Sequence, residues 1–236
     1  MRIGITLPHF RDDADAAIDA AREAEAQGLD GVFCFDHLWP MGQPGRPAIS
    51  SAPLLGAVAV STSTIAIGTL VARVGLVPDD VLASELSTLH TLSGGRLIAG
   101  IGTGDHLSRP ENEAFGVPFE RAAERRIRLA TVAAGARDAG IPVWVGGGLP
   151  KTIELARSLM VAVNLWDGED IRVAELVASG IEVTWGGPVG GSADQVTARL
   201  AEVAEAGATW AVCAWPRDLG AVAAAAAVVG GASPRG

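Results

Sequence analysis

Three of the four histidines in this 236-residue chain follow short apolar runs. His9 comes after Ile3–Leu7, His37 after Gly31–Phe35, and His106 after Arg96–Ile101. An imidazole changes charge near neutral pH, so it can move a proton or hydrogen-bond a cofactor ring. Two of the three are paired with carboxylates, as Asp36-His37 and Asp105-His106. A histidine that only packs a loop is the plainer alternative at each position. His90 lies inside a helical pattern and reads as structural. The histidines lack metal-ligand spacing, so no metal is expected. No strand-turn-helix serine elbow is present, which argues against acyl-enzyme chemistry. Cys34 and Cys213 fall within apolar runs and read as small buried hydrophobes.

A second set of residues suits binding. Gly146-Gly147-Gly148-Leu149-Pro150-Lys151-Thr152 joins an apolar run to a helix start. Free N–H groups and a helix dipole at such a junction can hold a phosphate. Gly186-Gly187-Pro188-Val189-Gly190-Gly191-Ser192 repeats the pattern later in the chain. Neither segment is a P-loop or a dinucleotide fingerprint. Trp39, Trp144, Trp166, Trp185 and Trp215 all fall near the ends of strand-like runs. A rim of tryptophan, glycine and histidine fits a flat aromatic ligand; the alternative is that these residues pack loops.

Eight strand-like runs must position these groups: Ile3–Leu7, Gly31–Phe35, Ile65–Val71, Arg96–Ile101, Pro142–Val145, Val161–Trp166, Ile181–Trp185 and Thr209–Trp215. They are apolar on both faces, as buried parallel strands are. Between them lie helical patterns at Asp13–Gln27, Pro53–Ser61, Pro78–Thr91, Phe119–Ala139, Pro150–Leu159, Ile171–Ala178, Ser192–Ala206 and Asp218–Val229. This alternation predicts a TIM-type (β/α)8 barrel formed as one domain over residues 1–236. An open doubly wound sheet is the alternative. In a barrel the active site forms at the C-terminal ends of the strands, where the residues above fall. The Ala-rich tail Ala221–Gly236 reads as a last helix and a frayed end.

The charge balance excludes some partners. A net charge of −9 leaves no basic stripe for nucleic acid or for an anionic membrane. The longest apolar stretch, Leu219–Ala232, is shorter than the roughly twenty residues of a membrane span. The N-terminus turns charged too soon for a signal peptide. A soluble cytoplasmic protein is expected.

Particular segments resemble the bacterial-luciferase-like monooxygenase family, which includes the F420-dependent oxidoreductases. They are Gln27–Phe33 through Asp36-His37-Leu38, Thr64–Thr69, Thr88–Gly102, Asn112-Glu113-Ala114-Phe115-Gly116, Val143–Gly147 and Glu205–Ala208. The resemblance implies a luciferase-like (β/α)8 barrel that binds coenzyme F420 or FMN at the strand C-termini, acts on a small organic substrate and forms a homodimer. It implies a ring site at Asp36, His37, Thr69, Val71, Gly102, Gly104 and Asp105, and a phosphate site at Gly146 and Gly147, with Gly148 beside them. It implies that Trp39 stands near the cofactor, that His37 and Asp105 are the catalytic groups, and that the Leu70–Val71 peptide is cis. Members commonly carry a long covering segment before the fifth strand. Here only Arg137 to Ile141 separates helix from strand, so the site is expected to be open or covered by a partner subunit. Two rival functions follow: a non-catalytic cofactor-binding or structural barrel, and a phosphate-binding lyase or isomerase. The latter wants a lysine at a strand end, whereas the only lysine, Lys151, stands at a helix start.

Overall fold

The computed structural model describes residues 1–230. Eight parallel strands close into a barrel in sequence order, with β8 returning to pair with β1. The strands are β1 (Arg2–Thr6), β2 (Gly31–Cys34), β3 (Ala66–Arg73), β4 (Leu97–Gly102), β5 (Val143–Gly146), β6 (Ala162–Trp166), β7 (Val183–Gly187) and β8 (Trp210–Cys213). Each expected run became a strand, and the open-sheet alternative is excluded. Burial on both faces explains why continuous apolar runs, and not alternating ones, form these strands.

The surrounding helices are α1 (Asp15–Ala26), α2 (Ser51–Ser61), α3 (Asp79–Leu92), α4 (Arg109–Ala114), α5 (Ala122–Asp138), α6 (Pro150–Leu159), α7 (Asp170–Ala178), α8 (Ala193–Glu205) and α9 (Leu219–Val229). α1 buries the stripe Ala17, Ala20, Ala21 and Ala24 against the barrel. α8 does the same with Val196, Leu200 and Val203, and Ser192 and Gln195 form a reciprocal cap at its start. The short α4, together with a single 3-10 turn at His106–Ser108, had no counterpart among the helical patterns read from the sequence. The tail beyond Gly230 lies outside the described residues.

The interior of the barrel is asymmetric. Towards the N-terminal ends of the strands, Phe33, Trp144 and Trp210 pack together with ring centroids 5.0–5.8 Å apart. Gly4, Gly31 and Gly68 leave room for the rings, since a Cβ at any of them would crowd Phe33 at 3.0 Å or less. Trp144 therefore does not belong to the ligand-facing rim proposed for it. Trp185 also turns away from the mouth: it is buried, its Nε1 donates to the Gly168 carbonyl at 3.1 Å, and Arg199 of α8 lies over its ring.

At the opposite end the barrel stays open. β3 runs two residues past its expected end, and its register against β4 shifts between Thr69 and Ala72. The Leu70–Val71 peptide is cis. Val71 projects between β4 and β5 into space left by two glycines: a Cβ on Gly102 would lie 2.4 Å from one Val71 methyl, and a Cβ on Gly146 2.8 Å from the other. α5 leads to β5 through Ala139–Pro142 alone, a short connection at the end of the barrel away from the mouth, whereas α4 between β4 and α5 lies over the ends of β2 and β3.

Candidate active site at the C-terminal mouth of the barrel

A cavity of about 640 Å³ occupies this mouth, a volume typical of a small-molecule site. Its lining is contributed by the ends of β2 to β6 and by Phe10, which follows β1. Asp36, His37, Val71, Gly102, Gly104, Asp105, Gly146, Gly147 and Gly148 all reach it. Trp39 and Thr69 do not. The Trp39 ring packs on Phe115 at 5.5 Å, and the Thr69 hydroxyl donates to the Gly100 carbonyl at 2.6 Å. A smaller hollow of about 450 Å³ opens at the other end, beside Arg2 and Trp210. It holds no histidine, and its one carboxylate, Glu182, already accepts from the Thr209 hydroxyl.

The polar centre is built on residues brought from four elements. Asp36 ends the β2 segment and accepts from the Ser51 hydroxyl of α2 at 3.0 Å and from the Arg73 N–H of β3 at 2.9 Å. These two bonds pin the turn that carries His37. The His37 Nδ1 lies 3.0 Å from Oε2 of Glu111 on α4. The same carboxylate meets Arg73 Nη1 at 2.8 Å and accepts the N–H groups of Leu38 and Trp39. Glu111 and Arg73 are almost wholly buried, and His37 is one-fifth exposed.

Burial alone pushes the Glu111 carboxyl up. The His37 hydrogen bond, the Arg73 guanidinium and the Leu38 N–H outweigh it and hold the group below its ordinary value. An ionised Glu111 keeps the Nδ1 proton of His37 on its own side. The Nε2 of His37 has no partner among the described residues and is the atom left for a ligand.

The sequence reading missed Glu111. The Asn112–Gly116 stretch beside it was noted only as part of the family resemblance, and a glutamate next to a proline on a short charged stretch looks like solvated surface. The other expected groups separate. His9 is fully buried, with Nδ1 on the Leu7 carbonyl at 3.1 Å and Nε2 unpartnered. Burial, above all, lowers its pKa, which favours a neutral ring. His106 opens the 3-10 turn on the surface and does not line the cavity. Asp105 is exposed at the rim, where its Oδ1 caps that turn by accepting from the Leu107 N–H at 2.8 Å.

The two walls of the cavity differ. On the β4–β5 side stand Gly102, Gly104 and Gly146–Gly148; Val71 fills the space beside Gly102 and Gly146 and Arg73 that beside Gly104, while a Cβ on Gly147 would meet no atom closer than 3.9 Å. Gly147 has φ +116°, a conformation that L side chains rarely adopt. α6 begins just beyond, at Pro150, with no side chain capping it. Across the mouth stand Phe10, Phe35 and Trp166. Phe10 stacks on Phe35 at 6.1 Å, and Phe35 meets the Trp166 ring edge-on at 5.0 Å. Because β2 and β6 lie on opposite sides of the barrel, the Phe35–Trp166 contact spans the mouth. It separates the cavity from the ends of β7 and β8. The second glycine-rich segment, 186–192, therefore does not reach the cavity. Its Gly186 and Gly187 are small because Trp166 and Trp185 pack against them, with a Cβ at either lying 2.5–2.7 Å from a ring.

A closed parallel barrel with its polar cluster at the strand C-termini defines a (β/α)8 barrel of enzyme-like construction. The sequence profile of the luciferase-like monooxygenases matches residues 1–127, and the chain belongs to that family. It is 35% identical over 160 residues to an F420-dependent glucose-6-phosphate dehydrogenase of Beutenbergia cavernae, a match covering 66% of this chain and 44% of that one. The chain thus spans less than half of that relative's length. Among solved structures, an F420-dependent secondary alcohol dehydrogenase in complex with an F420-acetone adduct superposes with a TM-score of 0.79 at 13% identity, over 97% of both chains. The FMN-bound oxygenating constituent of 3,6-diketocamphane monooxygenase from Pseudomonas putida gives 0.71 at 14%, over 95% and 96%. At these identities the likeness is one of fold.

Proposed function

We propose that this chain is an oxidoreductase that binds coenzyme F420 or FMN across the barrel mouth and acts on a small organic substrate, with His37 moving the proton. The observation that carries this reading is the His37–Glu111–Arg73 cluster: the imidazole is held through Nδ1 and offers Nε2 to the cavity. The names of the relatives and of the similar folds agree with a two-electron cofactor of this kind.

The residues present fit such a group. Val71, seated against Gly102 and Gly146, gives a flat ring an apolar surface to lie on, and the backbone at Gly147 beside it is free of side chains. The uncapped start of α6, behind Gly146–Gly148, suits the phosphate. A bound deazaflavin supplies hydride transfer, whereas a flavin supplies hydride or oxygen chemistry. Around it, Glu111 fixes the tautomer and aim of His37, and His37 Nε2 gives or takes the substrate proton. Asp105 stands at the rim as the second titratable group, and Trp39 braces α4 through Phe115.

The absence of the family's long segment before β5 favours a second reading, a barrel that binds the cofactor without turning it over. Titrating the apo-protein with F420 and FMN, oxidised and reduced, and then offering donors and acceptors separates the two. Failure of both cofactors to bind at high micromolar concentration overturns the oxidoreductase reading.

One barrel, residues 1–236, would form the working unit, acting as a homodimer in the cytoplasm. Exposed Val60, Val81 and Leu92 on α2 and α3 support an apolar contact between copies. A monomer mass by light scattering across micromolar concentrations counts against it. Among the described residues, no helix is long and apolar enough to cross a membrane, and no cluster of side chains could hold a metal ion.

A further inference from the structure

We propose a second binding site, in the hollow at the N-terminal end of the barrel, that takes a small carboxylate with a flat apolar body. The ring cluster of Phe33, Trp144 and Trp210 stands between this hollow and the mouth cavity. The proposal is therefore independent of the cofactor reading.

The hollow, about 450 Å³, opens where β1, β3, β4, β5, β6 and β8 begin. The charged side chains on its lining are Arg2, Arg96, Arg137 and Glu182. Three guanidiniums beside one carboxylate run counter to a chain whose net charge is −9. Such a local excess of positive charge, set in a concavity, attracts an anion.

The three arginines differ in what they can give a ligand. Arg96 donates its N–H groups to oxygens of Ser93, Thr62, Ile65 and Ala59, none of them a carboxylate, so it adds charge and no spare donor. Arg137 turns Nε and Nη2 to Asp138 and Nη1 to the Leu159 carbonyl. Arg2 is exposed and lies over the Trp210 ring at 5.6 Å, and its guanidinium has no hydrogen-bond partner among the described residues. Glu182 accepts from the Thr209 hydroxyl at 2.8 Å.

The class of ligand follows from these partners. One unengaged fork matches one carboxylate, which accepts two parallel N–H bonds from it. The floor is apolar: Ile98, Trp144, Ala162 and Trp210 close it, each 4–6% exposed. A flat ring laid on this floor removes apolar surface from water. A bare oxyanion gains nothing from it.

Titration calorimetry of the full chain with benzoate, benzamide and inorganic phosphate tests the proposal. Benzoate should bind at one site per chain, about tenfold or more tighter than either of the others, and should raise Tm. Arg2→Ala keeps the backbone bond to the Thr209 carbonyl and should weaken benzoate about tenfold or more. Arg2→Lys, which keeps the charge and loses the fork, should not restore full affinity. Arg172→Ala, on the mouth cavity, should leave benzoate binding unchanged. No binding of benzoate at about 10 mM, a range that calorimetry reaches, overturns the proposal. So does equal binding of benzamide or phosphate, or an Arg2→Ala variant with unaltered affinity. Loss of benzoate binding in Arg172→Ala in place of Arg2→Ala would put the ligand in the mouth and overturn it too.

Discussion

His37 and Glu111 are 74 residues apart in sequence, yet the Nδ1 of one lies 3.0 Å from the Oε2 of the other. α4 folds back over the ends of β2 and β3 and delivers a nearly buried carboxylate behind an imidazole that faces the cavity. This arrangement divides the labour, because Glu111 is held by four donors and only His37 is open to a ligand.

His37→Ala should therefore separate binding from turnover. Cofactor affinity should stay within about tenfold, or 1.4 kcal/mol, while kcat falls by roughly 10²–10⁴. Fluorescence titration and steady-state kinetics on the same preparation check this. An equal loss of affinity and rate would make His37 a cofactor clamp. Full activity in His37→Ala, with activity lost in Asp105→Asn, would move the proton to Asp105.

Removing the Glu111 charge should unsettle Arg73. Glu111→Gln leaves a buried guanidinium without its counter-ion and should destabilise the fold by about 3–5 kcal/mol. Adding Arg73→Met removes the stranded charge and should recover much of that loss. Urea unfolding of the two single variants and the double variant measures the coupling. A loss below about 1 kcal/mol in Glu111→Gln would show that the pair contributes little.

The glycine wall makes a prediction with its own control. At Gly147 the positive φ forbids a side chain without strain, although the nearest neighbour of a Cβ, Thr152, lies 3.9 Å away. Gly147→Val should distort the turn, weaken cofactor binding at least tenfold, and cost about 1–3 kcal/mol of stability. Gly190→Ala, where a Cβ meets open space outside the cavity, should leave both unchanged. Similar cofactor affinities in the two variants would remove Gly147 from the binding surface.

Acid stability should depend on Glu25. Burial raises its carboxyl, but the N–H groups of Ser63, Thr64 and Ile65 and the Thr64 hydroxyl bring it down to about 2. A carboxyl lowered on folding contributes stability above its unfolded value, near 4.5. That contribution fades as pH falls through the folded value. Stability should thus drop between pH 4.5 and 2, and Glu25→Gln should be less stable at pH 7 yet flatter across that window. Thermal unfolding at intervals from pH 7 to 2 tests this, and parallel curves for the two proteins would refute it. Glu111, also held low, adds to the same slope.

Much of the barrel was legible without coordinates. Eight runs apolar on both faces, separated by amphipathic helices, can bury themselves in few ways, and every run became a strand within two residues of its expected ends. The positions of Asp36, His37, Gly102, Gly104 and Gly146–Gly148 followed, because a parallel barrel brings all strand C-termini to one face. The resemblance added the cis bond at Leu70–Val71.

What the chain could not reveal locally was which side chains turn inward. Trp144, Trp185 and Trp166 all stand in or at the ends of strands, yet one fills the barrel floor, one packs under α8 and one lines the mouth cavity against Phe35. Strand position selects the end of the barrel, whereas the direction of each ring depends on glycines of neighbouring strands that leave it room. Glu111 shows the same limit more sharply. Its charge invites a solvated reading, and only the fold-back of α4 supplies the arginine, imidazole and backbone donors that make burial of a carboxylate affordable. Sequence periodicity thus determined the scaffold and the face that carries the site. Long-range packing decided which residues meet there, because those contacts join segments that share no local signal.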